Sequence, residues 1–167
     1  MVRIETNVVQ LAATLLLAAL IVTALPTSAS AQGLQGRTRI VLRGGYDTTR
    51  DAGGVGGAVR IPIGEAFEVI PSGDYFFVDL GDAWQANLDG AIRLGGGKLF
   101  YVGTGVAVLG RSFSGLSNTD VGWNLFAGLA AETPGGRFGI IVEPRYTLRD
   151  GSDPFWMTLG VSIAIGS

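Results

Sequence analysis

The sequence predicts an all-β fold, an eight-stranded antiparallel up-and-down barrel, on three observations. From residue 38 onward, apolar and non-apolar residues alternate with period two in eight runs. Gly, Pro, Asp and Asn turn residues separate these runs about every 12 to 18 residues, as strand-to-strand connections require. No stretch after the N-terminal segment approaches the roughly 18 continuous apolar residues of a membrane helix.

The first 31 residues read as an export leader and not as fold. Arg3 gives the leading region a positive side chain, Leu11 to Leu25 is almost wholly apolar, and Ala29-Ser30-Ala31 is a small-x-small cleavage pattern. The expected organisation is therefore a signal peptide over 1–31 and one barrel domain over 32–167. A retained membrane anchor is the other reading of the same apolar run. Without the leader the net charge stays at -2, because Arg3 and Glu5 leave together. The chain has no cysteine and no histidine, so packing and backbone pairing must hold it together without disulfides. Mild acidity argues against a nucleic-acid partner, which needs a basic patch. Lys98 is the one lysine in the chain, whereas a water-facing surface is normally rich in lysine.

The eight strands follow in order. The first, Thr38 to Tyr46, sets Ile40, Leu42 and Tyr46 opposite Arg39 and Arg43, and the second, Val55 to Ile63, sets Val55, Val59 and Ile61 against Gly56, Ala58 and Arg60. The third, Phe67 to Val78, is interrupted by Pro71-Ser72-Gly73, which predicts a bulge or bend. The fourth, Ala83 to Leu94, carries Trp84, Ala86, Leu88, Ile92 and Leu94 on one face and Gln85, Asn87, Asp89 and Arg93 on the other. The fifth, Lys98 to Leu109, and the sixth, Asp120 to Glu132, alternate Val, Leu and Trp with Gly, Ala and Asn. The last hairpin, Arg137 to Gly166, has one apolar face and one face bearing Arg137, Glu143 and Arg145. Pro144 within it predicts a bulge or a shifted neighbour. Connections over 47–53, 111–119 and 149–154 are longer and polar, while those near Gly64, Gly95 and Pro134 are tight.

A closed sheet with one apolar face can stand in membrane or in water with its faces exchanged. The non-apolar face here is mostly Gly, Ala, Ser, Thr and Asn with a few charges, which suits a crowded interior. Aromatics near strand ends, Tyr46, Tyr75, Phe77, Trp84, Phe100, Trp123, Phe138, Tyr146 and Phe155, suit interfacial girdles. These features favour a transmembrane β-barrel, with a soluble lipocalin-like ligand binder as the alternative.

The leader, the strand Tyr101-Val102-Gly103-Thr104-Gly105-Val106, the strand Gly122 to Gly128 and the strand Val142-Glu143-Pro144-Arg145-Tyr146 carry a resemblance. Over Arg37 to Ile165 the chain resembles the small eight-stranded outer-membrane β-barrel proteins, the outer membrane protein beta-barrel domain family, and is also similar to the outer membrane protein A barrel and the opacity proteins. The resemblance implies residence in the cell outer membrane, with lipid and the outer-membrane assembly machinery as partners and a monomeric state. The ending Ile165-Gly166-Ser167 departs from the terminal aromatic common in that family.

The chemistry of the chain is concentrated in its inward charges: Arg39, Arg43, Arg60, Arg93, Arg137 and Arg145 against Glu68, Asp89, Asp120, Glu132 and Glu143. Buried charges must be paired, and the planar guanidinium fork meets a carboxylate through two hydrogen bonds. Such a network reads as a structural plug of an interior only just wide enough for side chains. A polar path for small or hydrophobic solutes is the alternative, and Asp89 and Arg93 are candidate cross-barrel partners of Glu143 and Arg145. No enzymatic activity is expected: Ser112, Ser114 and Ser117 lack a histidine base, and a partner in Lys98 would be needed. No cofactor and no metal are expected either, and the carboxylates of Asp47, Asp51, Asp79, Asp82, Asp150 and Asp153 read as solvated loop charge.

Overall fold

The computed structural model describes residues 37–79, 81–94, 99–113, 116–151 and 153–165. The expected leader and its cleavage point, Lys98 and the chain's last two residues lie outside them. Eight strands run in order: β1 (Thr38–Asp47), β2 (Ala52–Ile63), β3 (Phe67–Phe76), β4 (Asp82–Leu94), β5 (Phe100–Phe113), β6 (Leu116–Glu132), β7 (Phe138–Leu148) and β8 (Phe155–Ile165). Each pairs antiparallel with its sequence neighbour, and β1 pairs with β8 from Thr38↔Ile165 to Asp47↔Trp156, closing the barrel. Closure removes the free edges that would otherwise recruit other chains.

The period-two pattern places side chains as it predicts. Leu42, Val55, Leu88, Ile140, Leu159 and Val161 stand on the exposed outer face, while Arg39, Arg43, Arg60, Glu68, Asp89 and Arg145 are each less than a tenth exposed inside. A water-soluble barrel has these faces the other way round, so the lipocalin-like arrangement is not the one the chain adopts. Two aromatic levels frame the apolar band. Phe67, Phe100 and Phe138 open β3, β5 and β7 at one end, and Tyr46, Tyr75 and Tyr146 stand near the other ends of β1, β3 and β7, all exposed. Each of these tyrosines donates its hydroxyl to an aspartate at the same end, Asp51, Asp82 and Asp153 respectively.

Three expectations about the backbone need correction. Neither proline makes a bulge. The β2–β3 register runs unshifted from Gly54↔Phe76 to Ile63↔Phe67, and the β6–β7 register from Trp123↔Leu148 to Glu132↔Gly139. What the prolines cost is ladder continuity. Pairing of Val59 and Arg60 with β3 is missing beside Pro71, and pairing of Ala127 and Gly128 with β7 is missing beside Pro144. In β3 the odd residues turn their amides toward β2, as Phe77 N to Gly53 O shows, so Pro71 withholds a donor from that side.

The expected contrast between long and tight connections is also absent. The stretch 111–119 is mostly strand: β5 and β6 stay paired through Arg111↔Asn118 and Ser112↔Ser117 to Phe113↔Leu116. The hairpin projects past its neighbour, since β6 meets β7 only from Trp123 onward. The connections at that end, 48–51, 77–81, 114–115 and 149–154, are as short as 64–66, 95–99 and 133–137 at the other. These are called the loop end and the turn end below. At the turn end Gly64, Gly135 and Gly136 sit at φ 76, 93 and 67, a region that other side chains avoid.

Candidate functional site

The inward faces of β1 and β4 carry polar and apolar positions in the same order. β1 presents Arg39, then Val41, then Arg43, then Asp47; β4 presents Arg93, then Ala91, then Asp89, Asn87 and Gln85, then Ala83. The result is a layered lumen. Two apolar clusters lie within it. One is formed by Val41, Ala58, Ile70, Ala91, Tyr101, Phe126, Ala130 and Ile141. The other, nearer the loop end, is Ala52, Phe76, Ala83 and Trp156 with Val78 against it. Glycine makes the width available: a methyl group at Gly128 would fall within the Tyr101 ring, and one at Gly103 within the Phe126 ring.

The polar layer at the turn end centres on Glu68. Its Oε2 accepts from Arg60 Nε at 2.9 Å and Nη2 at 2.7 Å, and its Oε1 accepts from Arg93 Nε at 2.9 Å and Nη2 at 2.6 Å. One carboxylate thus joins two guanidinium forks, a geometry that only arginine supplies. Arg39 donates to Ser162 Oγ at 3.2 Å and to the Gly136 carbonyl at 2.9 Å, with Glu132 3.3 Å away.

The middle layer centres on Glu143. Arg43 meets Asp74 through a two-bond fork, both bonds at 2.8 Å, and reaches Glu143 at 3.3 Å. Arg145 donates to Asp89 at 2.6 Å and to Glu143 at 2.9 Å, and the Tyr101 hydroxyl donates to the other Glu143 oxygen at 2.8 Å. Asn124 donates to Asp89 at 2.8 Å and to Asn87 at 2.9 Å, while Asn87 donates to Asp74 at 3.2 Å. Tyr101 also ties the two layers together, because the Arg60 guanidinium lies 4.0 Å from its ring centre. Arg145 rests similarly on Phe126, at 4.5 Å. Arg39, Arg43, Arg60, Arg93 and Arg145 face Glu68, Asp74, Asp89, Glu132 and Glu143, so the buried charges balance.

Of the residues expected to line the interior, Arg39, Arg60, Glu68, Arg93 and Glu132 stand in the turn-end layer, and Arg43, Asp89, Glu143 and Arg145 in the middle layer. Arg93 bonds Glu68 and not Glu143, whereas Asp89 does cross to Arg145. Two others lie elsewhere. Arg137 is exposed, in the turn before β7, with its guanidinium 5.9 Å from the Phe138 ring centre; alternation ends where the strand ends. Asp120 is at the loop-end mouth, paired with Arg149 at 2.8 Å. Asp47 is not solvated loop charge: it is fully buried, accepts from the amides of Thr49 and Arg50 at 2.9 Å each, and pairs with the Arg50 side chain at 2.5 Å. Sequence reasoning missed Asp74. Carrying the alternation unbroken through Pro71-Ser72-Gly73 puts it on the face of Glu68. Tyr101, Asn87, Asn124 and Gln85 fell on the correct face, but no spacing signal distinguished them as network members. Among the described residues no group of three or more His, Cys, Asp or Glu side chains converges for a metal.

No protein-family model and no curated protein sequence matches the chain. Solved structures do. The N-terminal β-barrel domain of Pseudomonas aeruginosa OprF aligns at TM-score 0.67 with 18% identity, covering 78% of this chain and 98% of that one. Neisserial surface protein A aligns at 0.59 with 7% identity, covering 77% and 96%. The Yersinia pestis outer membrane protein Ail, solved in a phospholipid nanodisc, aligns at 0.53 with 15% identity, covering 76% and 99%. The chain therefore has the fold of small eight-stranded outer-membrane barrels, with a salt-bridged interior.

Proposed function

We propose that the protein is a monomeric, non-enzymatic outer-membrane barrel whose lumen is sealed, and that it serves as a membrane-embedded scaffold presenting short connections at its loop end. The observation that carries this reading is the buried ion-pair network spanning the lumen from Glu68 to Asp74 and Asp89. A water-filled path needs room between facing side chains. Here the facing groups touch, and the void left between Arg43, Arg60 and Glu143 is about 10 Å³, room for about one water. The fold likeness to OprF, neisserial surface protein A and Ail supports the location, together with an outer face that only hydrocarbon would cover favourably. Lipid is then the partner of the outer face, and the outer-membrane assembly machinery the partner during insertion.

The test is reconstitution of the detergent-purified protein into planar bilayers. A sealed lumen predicts no unit conductance steps above those of protein-free membranes. Reproducible steps of one size would overturn it in favour of a narrow channel.

A further inference from the structure

A cavity of about 280 Å³ opens at the loop end, outside the sealed part of the lumen. Its floor is apolar: Ala83 and Leu109 are almost wholly buried there, and Val78 packs on the Phe76–Trp156 pair beneath. Its wall carries three arginines and two aspartates, Asp79 and Asp120. Arg50 comes from the β1–β2 connection, Arg111 from the inward face of β5, two residues beyond Leu109, and Arg149 from the segment after β7. Three separate elements thus bring guanidinium groups to one small cup.

Two of these arginines are held in place by carboxylates. Arg50 pairs with buried Asp47 and lies 4.3 Å from the Phe76 ring centre, and Arg149 donates Nη1 to Asp120. The Arg50 pair uses part of a five-donor fork. Arg111 is exposed and has no ion pair among the described residues. The three guanidinium groups repel one another. Burial holds the Arg50 pKa below its ordinary value and Asp47 opposes that, but Arg149 and Arg111 both add to the lowering. An anion seated among the three would turn that repulsion into attraction.

We propose that this cup binds a small organic oxyanion, a carboxylate or phosphate ester, with the charged group held by Arg111, Arg50 and Arg149 and the organic body on the Ala83–Leu109 floor. Asp79 and Asp120 also reach the cup wall, which favours a singly charged or zwitterionic ligand over a polyanion. The sealed layers beneath make the cup blind, so it is a receptor site and not the entrance to a path. The inference stands apart from membrane location and from lumen conductance, because binding is read on the purified barrel in detergent.

The experiment is calorimetric titration of the full-length processed protein, in dodecyl maltoside at low salt and without phosphate buffer, with phenyl phosphate and with inorganic phosphate. Saturable one-site binding is expected, tighter for phenyl phosphate than for inorganic phosphate, and weakened about tenfold or more by Arg111→Gln through loss of charge-assisted bonds. Arg137→Gln, at the opposite end, should leave it unchanged. Lipopolysaccharide that displaces the bound phenyl phosphate would identify a lipid-borne phosphate as the natural form; failure to displace it would identify a soluble one. No saturable heat with either probe, or binding that Arg111→Gln leaves intact, would overturn the proposal.

Discussion

At the scale of single residues, the two carboxylates that organise the lumen are not equivalent. Glu68 serves two guanidinium forks, so removing it deprives both Arg60 and Arg93 of the carboxylate they share. Glu143 is different: without it Arg43 keeps its fork to Asp74 and Arg145 keeps Asp89. Uncompensated buried charge is the large penalty, about 3–5 kcal/mol when one partner of a buried pair is lost. Glu68→Ala is therefore expected to lower stability by about that amount. Glu143→Ala is expected to cost less, on the order of 1–3 kcal/mol, mainly through the Tyr101 hydroxyl and the remaining arginine donors. Urea unfolding of the detergent- or vesicle-bound protein measures both, and a larger loss for Glu143→Ala than for Glu68→Ala would contradict this assignment of roles. Much of this site was legible from alternation alone, because a strand dictates the face of a side chain. Its partners were not legible, because they depend on strand tilt and on which large side chain leans over which glycine. Arg93 turns to Glu68 on the adjoining β3, where Glu68 stands opposite Ala91, whereas Asp89 crosses the lumen to Arg145.

At the scale of elements, strand number and facing follow from the sequence pattern, but the prolines do not act as the pattern predicts. A bulge would have flipped every later residue in the strand to the other face, taking Asp74 out of the lumen after Pro71 and Arg145 out after Pro144. Holding the register and forgoing a ladder bond costs less. In β7 the odd residues face β8, as Thr147 N to Pro154 O shows, so Pro144 faces β6 and leaves Ala127 without an opposing amide. Pro144→Val should restore that donor. The expected result is a gain of about 0.5–1.5 kcal/mol, with a slowly exchanging amide at position 144. A loss of stability, or a fast-exchanging amide there, would show that the backbone at this point is set by something other than the missing donor. The polar stretch 111–119 carries the pattern of a loop, yet most of it extends the β5–β6 hairpin. On its β6 side the hairpin stands beyond β7, where polar side chains pair as readily as apolar ones and hydrophobic alternation carries no signal.

At the scale of the whole molecule, three features agree on an object built to stand in a bilayer. In both β3 and β7 an opening phenylalanine and a later tyrosine are eight residues apart, Phe67 to Tyr75 and Phe138 to Tyr146. That is about 26 Å along a strand at about 3.3 Å per residue, or about 20 Å of depth at a tilt near 40°. With the rings themselves included this approaches the apolar band of about 25 Å found in such barrels. The balance of charge shifts along the same axis: at the loop end Asp47, Asp51, Asp79, Asp82, Asp120, Asp150 and Asp153 outnumber Arg50, Arg111 and Arg149, while at the turn end Arg37, Arg39, Arg60, Arg93 and Arg137 outnumber Glu65, Glu68 and Glu132. The third feature is closure, and it can be tested directly. Residues Thr38–Asp47 of β1 pair along their length with β8. In hydrocarbon each unpaired backbone group costs several kcal/mol, so opening that seam is far less favourable in a membrane than in water. The folded chain should resist dodecyl sulfate at room temperature and migrate faster unboiled than boiled on a gel. A chain ending at residue 154, which lacks β8, leaves edges on β1 and β7 and should show one unshifted band under both conditions. If the full chain also ran as one unshifted band, the ladder between β1 and β8 would not be holding a detergent-resistant barrel, and the sealed lumen would lose its frame.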